Sequence, residues 1–554
     1  MMRLACLAVL LLVVASALPA RQPPPGIPEA MRLMPSDPAG AARILEQVTK
    51  REPKNQRAWR LLGSARQQGG QLDAAIEAFQ QAIAIGPDPA ATYSIGIVYA
   101  QKKEMDRAFE WLAKAKATGK VDMTQLQVDP HPAAYRDEPR FKALLATKKD
   151  FADPFVEPTT IIHEWHGEAI NDQFGWIARA IGDVDKDGVS DIVVSAPFTG
   201  DQQQPSGRVY IYSAKSGTLL WKANGVAGER LGITAEAAGD VNADGMPDLV
   251  ATGGGAAVVY SGNDGRVIRT LRSPGPLPLL AASTAGDVNR DGHADILAGS
   301  TPAPQPGKPP ASAKGAAYVF SGKDGSVLLS LEGEREGDNF GSAVAGYSDG
   351  KRTLLVVGAP AGGERRTGRV YVYTGLTRRP AFTIDSDATG AALGAMFVAV
   401  AGDVNRDGTP DVYASDFANS AKGPSTGRVY VHSGMDGSRL LTLTGEGPGE
   451  GFGTSASSAG DLDGDGHADL AIGAWQYGAA APSGGRIYVH AGSDGRLLRT
   501  ITCRIPGDTL GFDSVGIGDV NGDGEHDLLI TSAYSGVNGY RSGRVFVVSS
   551  GVLR

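Results

Sequence analysis

GDVDKDGVSDIVVSAP, residues 182–197, is the stretch that determines how the rest of the chain is interpreted. Its first half alternates acidic residues with others and ends in a glycine turn, and its second half is an apolar run typical of a buried strand. The same form returns as GDVNADGMPDL from residue 239, GDVNRDGHADI from 286, GDVNRDGTPDV from 402, GDLDGDGHADL from 460 and GDVNGDGEHDL from 518. A pattern that recurs at a nearly constant period indicates a repeat architecture.

The spacing of these copies reveals a seventh, degenerate unit. The first aspartates stand at positions 183, 240, 287, 403, 461 and 519, so one interval is about twice the others. FGSAVAGYSDGKRTLLVVGAP, residues 340–360, fills that gap and keeps only Asp349 of the acidic positions. The sequence therefore predicts seven units with six intact acidic loops.

The rest of each unit also has strand character. A third strand reads GRVYIYS from residue 207 and GRVYVHSG from 427, and a fourth reads RLLTLTGE, residues 439–446. Four strands in each of seven units predict a mainly β fold, a seven-bladed β-propeller over residues 159–554. The chain stops after a third strand, so TTIIHEWHGE, residues 159–168, is predicted to complete the last blade and close the ring.

The acidic loops have the residue pattern of a calcium site. Oxygen side chains at positions 1, 3, 5 and 9 converge, position 7 offers its carbonyl, and glycine at position 6 permits the turn. Without a cation these carboxylates would repel one another, although acidic surface turns are the alternative. Val194 at position 12 and the strand that follows exclude an EF-hand. About six Ca²⁺ ions are predicted, with these side-chain ligands: Asp183, Asp185, Asp187, Asp191, Asp240, Asn242, Asp244, Asp248, Asp287, Asn289, Asp291, Asp295, Asp403, Asn405, Asp407, Asp411, Asp461, Asp463, Asp465, Asp469, Asp519, Asn521, Asp523 and Asp527.

The first 36 residues have the character of an export signal followed by a spacer. Arg3 precedes the apolar run Leu4–Val14, and small residues follow at 15–17. This predicts a signal peptide over 1–17, an uncleaved anchor being the alternative, and a secreted, periplasmic or cell-surface protein. Residues 18–36 are predicted to be a Pro-rich spacer. After cleavage Cys503 is the remaining cysteine, so no internal disulfide is expected.

A helical pattern occupies residues 37–146. Trp59, Leu62, Gly63, Ala75, Phe79, Ala82 and Pro87 fall at the offsets of a tetratricopeptide repeat, and a second copy begins 33 residues later. The segment resembles a short all-α tetratricopeptide array, joined by a linker, 147–158, to the propeller. It is expected to bind a protein partner in a shallow groove or to serve as a spacer.

Residues 159–554 resemble the FG-GAP repeats of the integrin α-subunit propeller. Phe-Gly stands at 174–175, 340–341 and 452–453, and Gly-Ala-Pro at 358–360, whereas residues 279–282 of the third unit lack the Phe-Gly pair. The resemblance implies calcium on one face and a protein or glycan ligand on the opposite face. The predicted ligand loops, for which inert connectors are the alternative, join second to third strands: 201–206, 301–314, 417–426 and 534–542.

The predicted function is a calcium-binding extracytoplasmic adhesion, ligand-binding or scaffold protein, not an enzyme. The net charge of −8, with acidic residues in local clusters, disfavours nucleic acid as a partner. His293 and His467 occupy position 7 of their loops, where the carbonyl is the ligand and the ring is expected to be free. The alternative is a propeller enzyme that acts on glycans or resembles quinoprotein dehydrogenases, a likeness carried by residues 209–225 with Trp221.

Overall fold

The computed structural model describes residues 26–303, 312–455 and 457–552. The chain divides into two compact units, Met1–Ala117 and Thr118–Arg554. The signal peptide predicted at residues 1–17 lies outside the described residues. Among the helices that are described, none combines the length and apolar character needed to cross a membrane.

The first unit consists of consecutive helices that pack against one another through small residues. A Cβ atom on Gly63 would lie 2.6 Å from the ring of Phe79, and one on Gly96 would lie 2.7 Å from Leu112, so both glycines permit close helix contact. The first helix falls inside the range predicted as a Pro-rich spacer. The helices are α1 Ile27–Leu33, α2 Pro38–Arg51, α3 Gln56–Gln68, α4 Leu72–Ile85, α5 Pro89–Gln101 and α6 Met105–Ala117.

Residues 118–158 belong to the second unit and consist of short helical turns. Phe151 and Phe155 are buried in one apolar cluster with Cys503 and Phe546. The domain boundaries at 146 and 158 remain predictions, but in this structure the stretch packs as part of the propeller unit. It contains the 3₁₀ helices Met123–Gln127, Ala133–Tyr135 and Lys148–Phe151 and the α-helix α7, Pro139–Leu144.

The propeller is a ring of seven four-stranded antiparallel sheets, as the sequence predicts. Strands follow one another outward within each blade, and the strand that closes blade 7 is β1, Ile161–His166. Blade 1 holds β2 Ala178–Gly182, β3 Asp191–Ala196, β4 Arg208–Tyr212 and β5 Leu219–Asn224; blade 2 holds β6 Ala235–Gly239, β7 Asp248–Gly253, β8 Ala256–Tyr260 and β9 Val267–Arg272; blade 3 holds β10 Leu279–Gly286, β11 Asp295–Ser300, β12 Ala316–Phe320 and β13 Val327–Glu332; blade 4 holds β14 Val344–Ser348, β15 Thr353–Ala359, β16 Arg369–Thr374 and β17 Phe382–Asp385; blade 5 holds β18 Val398–Val400, β19 Val412–Asp416, β20 Arg428–His432 and β21 Arg439–Thr444; blade 6 holds β22 Ser457–Gly460, β23 Asp469–Ala474, β24 Arg486–His490 and β25 Leu497–Thr502; blade 7 holds β26 Ser514–Gly518, β27 Asp527–Ser532 and β28 Arg544–Ser549.

The ring closes as predicted. Strand β1 pairs antiparallel with β28, with Glu164 opposite Phe546 and His166 opposite Arg544. Arg544 is 2% exposed, and its guanidinium donates to Glu164 Oε1 at 2.9 Å from Nε. The first and last parts of the propeller sequence therefore share one sheet, and blade 7 has the same four strands as the others.

The Phe-Gly and Leu-Gly pairs lie where one blade meets the next. Phe174 forms a parallel bridge with Gly543 of blade 7, and Leu231 of blade 2 forms one with Gly207 of blade 1. The Phe174 ring meets Tyr210 of its own blade edge-on, with ring centroids 5.2 Å apart. Because each acidic loop joins the first and second strands of its blade, all six loops lie on one rim of the ring.

Candidate metal sites and ligand face

Each acidic loop connects the first and second strands of its blade. Side chains at positions 1, 3 and 5 lie in the loop, whereas position 9 is the first residue of the second strand or, in blade 5, the residue just before it. The position-9 aspartates are fully buried, at 0% exposure in every case. They are Asp191, Asp248, Asp295, Asp411, Asp469 and Asp527.

Backbone amides wrap around the carboxylates of each loop. In loop 1, Asp183 accepts from the amides of Asp187 at 3.1 Å and Gly188 at 2.9 Å, while Asp187 Oδ1 accepts from Val189 N at 2.9 Å. Gly188 has φ 89°, a conformation that favours glycine. The amide of the position-6 glycine donates to the position-1 carboxylate in each of the other five loops as well.

Burial makes the position-9 carboxylates the most strongly perturbed groups of the loops. Desolvation raises the pKa of each to about 6. Backbone amides oppose this change, as when Val184 N donates to Asp191 Oδ2 at 2.8 Å. A cation beside such a group would stabilise its charged form and bring the pKa back down.

The end of the third strand adds contacts that sequence reasoning missed. Ser213 Oγ donates to Asp187 Oδ2 at 3.3 Å, and Ser433 Oγ donates to Asp407 Oδ2 at 3.1 Å. Gly434 N donates to Asp411 Oδ1 at 3.1 Å, and the corresponding amide does the same in four more blades. The recurrence of serine after the third strand was the available signal.

Two loops bring three carboxylates together closely enough to share one ion. Ligand atoms of Asp183, Asp185 and Asp191 lie within 4.8 Å of one another, and so do those of Asp461, Asp463 and Asp465. Asp187 and Asp469 are not members of these groups. Asp461 Oδ1 is buried with no hydrogen-bond partner among the described residues, as is Asp527 Oδ1. Oxygen donors of this charge and with unused lone pairs fit a hard divalent cation.

In the other four loops position 3 is asparagine. Its Nδ2 donates to the position-5 carboxylate, as from Asn242 to Asp244 at 2.8 Å, while its Oδ1 accepts from the Asp244 amide at 2.9 Å. The equivalent side-chain bond recurs at Asn289, Asn405 and Asn521. These loops therefore carry one carboxylate fewer but keep the same oxygen-rich turn.

Blade 4 replaces the acidic loop with a short turn. Asp349 Oδ1 accepts from the amides of Lys351 at 2.8 Å and Arg352 at 2.7 Å, which closes the turn. The Arg352 guanidinium donates to Gly408 O of the neighbouring blade-5 loop at 2.6 Å. The positively charged side chain of Arg352 therefore lies beside the acidic loop of blade 5.

The predicted ligand loops do join second to third strands, on the opposite rim from the acidic loops. Residues 304–311 of the blade-3 loop lie outside the described part of the chain. The blade-7 loop is covered by the chain's own Met123–Gln127 helix, where Gln127 Oε1 accepts from Tyr540 N at 2.7 Å. That helix contacts the loop at Tyr540, whereas Tyr534 and Arg541 of the same loop stay partly exposed.

An aromatic cluster marks this rim at blades 6, 7 and 1. Phe512 lies 4.8 Å from Trp176, 5.6 Å from Trp475 and 5.7 Å from Tyr534 between ring centroids, and Trp176 in turn meets Phe198. Most of these rings are only half-buried. Trp176 and Phe512 hold equivalent positions in blades 1 and 7, whereas four other blades have non-aromatic residues there, namely Ile233, Ser342, Ala395 and Thr454.

Trp221, which carries the likeness to quinoprotein dehydrogenases, and several other aromatic and histidine side chains have structural contacts. Trp221 Nε1 donates to Gly262 O of the next blade at 2.7 Å, and Trp165 makes the same contact with Gly217 O at 3.0 Å. His432 and His490 bond to the carbonyls of Gly437 and Gly495, and burial lowers the pKa of both. The expectation that the rings of His293 and His467 are free is wrong, because both bond to carbonyls of neighbouring loops.

Comparison with known families agrees with both units. A tetratricopeptide repeat model matches residues 36–88 and 64–121. An FG-GAP repeat model matches residues 174–212, 452–490 and 512–548, and an FG-GAP-like repeat model matches residues 240–298.

The curated relatives include integrin α subunits. Integrin alpha-2 of Bos taurus is 31% identical over 121 residues, which is 20% of this chain and 10% of that protein. Integrin alpha-4 of Xenopus laevis is 33% identical over 190 residues, covering 32% of this chain and 18% of that protein. Integrin alpha-6 of Gallus gallus is 35% identical over 112 residues, covering 18% and 10%. The matched segments thus span less than a fifth of these relatives' own length.

A solved structure described as BBS1N in complex with ARL6DN covers 72% of this chain and 99% of its own. Its TM-score of 0.44 and identity of 10% are too low to support a functional comparison. The repeat matches, the integrin relatives and the observed ring agree with one another. The chain thus carries tetratricopeptide repeats followed by a seven-bladed FG-GAP propeller that is similar to segments of integrin α subunits.

Proposed function

We propose that this chain is a calcium-loaded binding or adhesion module that works outside the cytoplasm and does not catalyse a reaction. The observation that carries the proposal is the recurrence of one oxygen-rich loop in six of seven blades, each with a buried carboxylate at position 9. These six carboxyl groups, each with a pKa raised to about 6 by burial, gain from a cation at neutral pH.

Calcium suits these loops better than other cations available outside cells. It accepts six to eight oxygen ligands in flexible geometry, and extracellular sites bind it with Kd values of about 0.1–1 mM. At about 1 mM free Ca²⁺, a site with a Kd of 0.1 mM adds roughly 1.4 kcal/mol to the free energy of unfolding. The similarity to integrin α subunits and the predicted signal peptide both support work outside the cytoplasm.

The ligand is proposed to be a protein or glycan that binds the rim opposite the calcium loops. The half-buried aromatic cluster around Phe512 lies on that rim. Arg541 lies 4.6 Å from the Tyr534 ring centroid and adds a cation at its edge. Rigid aromatic rings with an arginine beside them are characteristic of binding surfaces. The helical repeats offer a second surface for a protein partner.

Calorimetric titration of Ca²⁺ into the EDTA-stripped protein tests the proposal. About six sites are expected, with Asp187→Ala removing one of them. Asp349→Ala, in the blade-4 turn that lacks the acidic pattern, is the matched control and is expected to leave the number of sites unchanged. Absence of any calcium-dependent heat or thermal stabilisation would contradict the proposal.

A further inference from the structure

Two neighbouring acidic loops, those of blades 2 and 3, are hydrogen-bonded directly to each other. His293 Nδ1 lies 2.8 Å from Val241 O, and since a carbonyl only accepts, this nitrogen carries the proton. Ala294 N donates to Asp240 O at 2.8 Å. Both bonds connect positions 7 and 8 of loop 3 with positions 1 and 2 of loop 2.

The same pair of bonds joins the loops of blades 5 and 6. His467 Nδ1 donates to Val404 O at 2.6 Å, and Ala468 N donates to Asp403 O at 3.0 Å. Arg406 of loop 5 adds a third link by donating to Asp465 O at 3.2 Å. The two junctions are therefore built alike although they lie in different parts of the ring.

The residues at positions 7 and 8 supply the donors at these two junctions. His-Ala stands there in loops 3 and 6, where the histidine ring and the alanine amide are the two donors. Loops 2 and 5 have Met246-Pro247 and Thr409-Pro410, and proline has no amide proton to donate. Among the described hydrogen bonds, no side chain or amide at these positions of loops 1, 2, 5 and 7 reaches the preceding acidic loop.

Each link joins groups that are proposed to bind the ions. Val241 N donates to Asp248 Oδ2, the position-9 carboxylate of loop 2, at 2.9 Å, and Val241 O accepts from His293 of loop 3. Val404 likewise connects Asp411, at 2.7 Å, with His467. The backbone carbonyl of each histidine is the predicted ligand at position 7. When one loop becomes ordered, the residue at its position 2 is held in place through its amide. The carbonyl of the same residue then holds the histidine of the neighbouring loop, whose own carbonyl is a predicted ligand.

We propose that the loops of blades 2 and 3, and those of blades 5 and 6, form two coupled pairs in which loading one loop with a divalent cation raises the affinity of its partner. The loops of blades 1 and 7 bind independently. This inference rests on the proposed function, since it concerns the same sites. The coupling is positive because each loop loses less conformational entropy once its partner is ordered, and thermodynamic linkage makes it reciprocal.

Calcium titrations of the EDTA-stripped full chain, followed by calorimetry, test the coupling. Asp244→Ala disables loop 2 and is expected to remove one site and also to weaken a second one by about fivefold or more. Asp187→Ala disables the unlinked loop 1 and is expected to remove one site only. In a His293→Ala background only the bond from Ala294 N to Asp240 O remains, so the effect of Asp244→Ala on the second site is expected to be smaller than in the unmutated background. His293→Asn, which keeps a donor near the Nδ1 position, is expected to retain part of the coupling.

The outcomes separate the two proposals. Absence of calcium binding in the unmutated chain overturns the proposed function. Six sites of which Asp244→Ala removes one and leaves the other five unchanged would uphold the proposed function and overturn the coupling. Hydrogen exchange gives a second readout that does not depend on the fit of an isotherm: calcium is expected to protect loop 3 less in Asp244→Ala, and an unchanged loop 3 would also overturn the coupling.

Discussion

Gly485, at the start of a third strand, lies against the backbone of the next blade. A Cβ atom there would lie 2.1 Å from Leu510 O, and the residue has φ 89°. Gly485→Ala is therefore expected to lower the denaturant midpoint by both backbone strain and a steric clash with a neighbour that cannot move freely. The expected cost is about 1–2 kcal/mol for the left-handed conformation, with about 1–3 kcal/mol more for overpacking.

Gly228 provides the matched control for this substitution. Its φ is 81°, but no atom lies within 4 Å of where its Cβ would be. Gly228→Ala is expected to carry only the conformational cost of about 1–2 kcal/mol. Equal losses of stability in the two variants, measured by urea unfolding in the presence of calcium, would show that the contact between blades does not matter.

Cys503 is expected to be inert in the folded protein. It is 1% exposed, and burial, helped by the neighbouring Asp508, raises the pKa of its thiol well above the usual value. Since the thiolate is the reactive form, iodoacetamide at a pH of about 8 should label this residue only after unfolding in guanidinium. Peptide mass mapping measures the labelled fraction at Cys503. Labelling of the native protein at the rate of the unfolded one would contradict the buried position.

Residue types could be predicted from the sequence where the repeat imposes them. Asp at positions 1, 5 and 9 and glycine at position 6 recur in register, so the loops could be located without a structure. The serine and amide contacts from the third strand could not, because Ser213 and Asp187 are distant in sequence and meet only when the blade forms. The ring contacts of His293 and His467 depend on the approach of two blades, which no local pattern encodes.

Strand β1 gives the test of ring closure at the scale of an element. Deleting residues 159–168 is expected to lower the melting temperature of the propeller and to promote association, because the edge of β28 would be unpaired. Attaching the same segment after residue 552, through a turn like that before β25, is expected to restore stability. If stability recovers, the effect of the deletion is due to the missing strand and not to the shortened connection. If it does not recover, the pairing of β1 with β28 is contradicted.

Some elements could not be predicted from periodicity. Residues 118–158 form short turns whose contacts do not repeat along the sequence. For example, Glu157 Oε2 accepts from Thr502 N, at the end of the last strand of blade 6, at 2.6 Å. Helix α1 lies in a proline-containing stretch that was predicted to be a spacer. Pro28 stands in the first turn of that helix, where a missing amide proton costs nothing.

The division into two units predicts how the whole molecule responds to calcium. The acidic loops all belong to the unit Thr118–Arg554. In differential scanning calorimetry, EDTA is expected to lower the melting transition of that unit by several degrees and to leave the transition of the helical repeats unchanged. The isolated repeats, residues 26–117, identify their transition. A calcium-dependent shift of both transitions would contradict the assignment of the sites to the propeller alone.

The sharing of blade 7 between the two ends of the propeller sequence sets an order of events during synthesis. Strand β1 is made before any blade, yet its partner β28 is the last strand of the ring to leave the ribosome, since Arg544 follows Glu164 by 380 residues. Six blades are complete while the seventh still lacks its partners, so the ring is an open arc until β28 has been made. A chain that terminates early anywhere in the propeller keeps β1 unpaired and two exposed sheet edges, and it is a substrate for proteases and chaperones however many blades it has made.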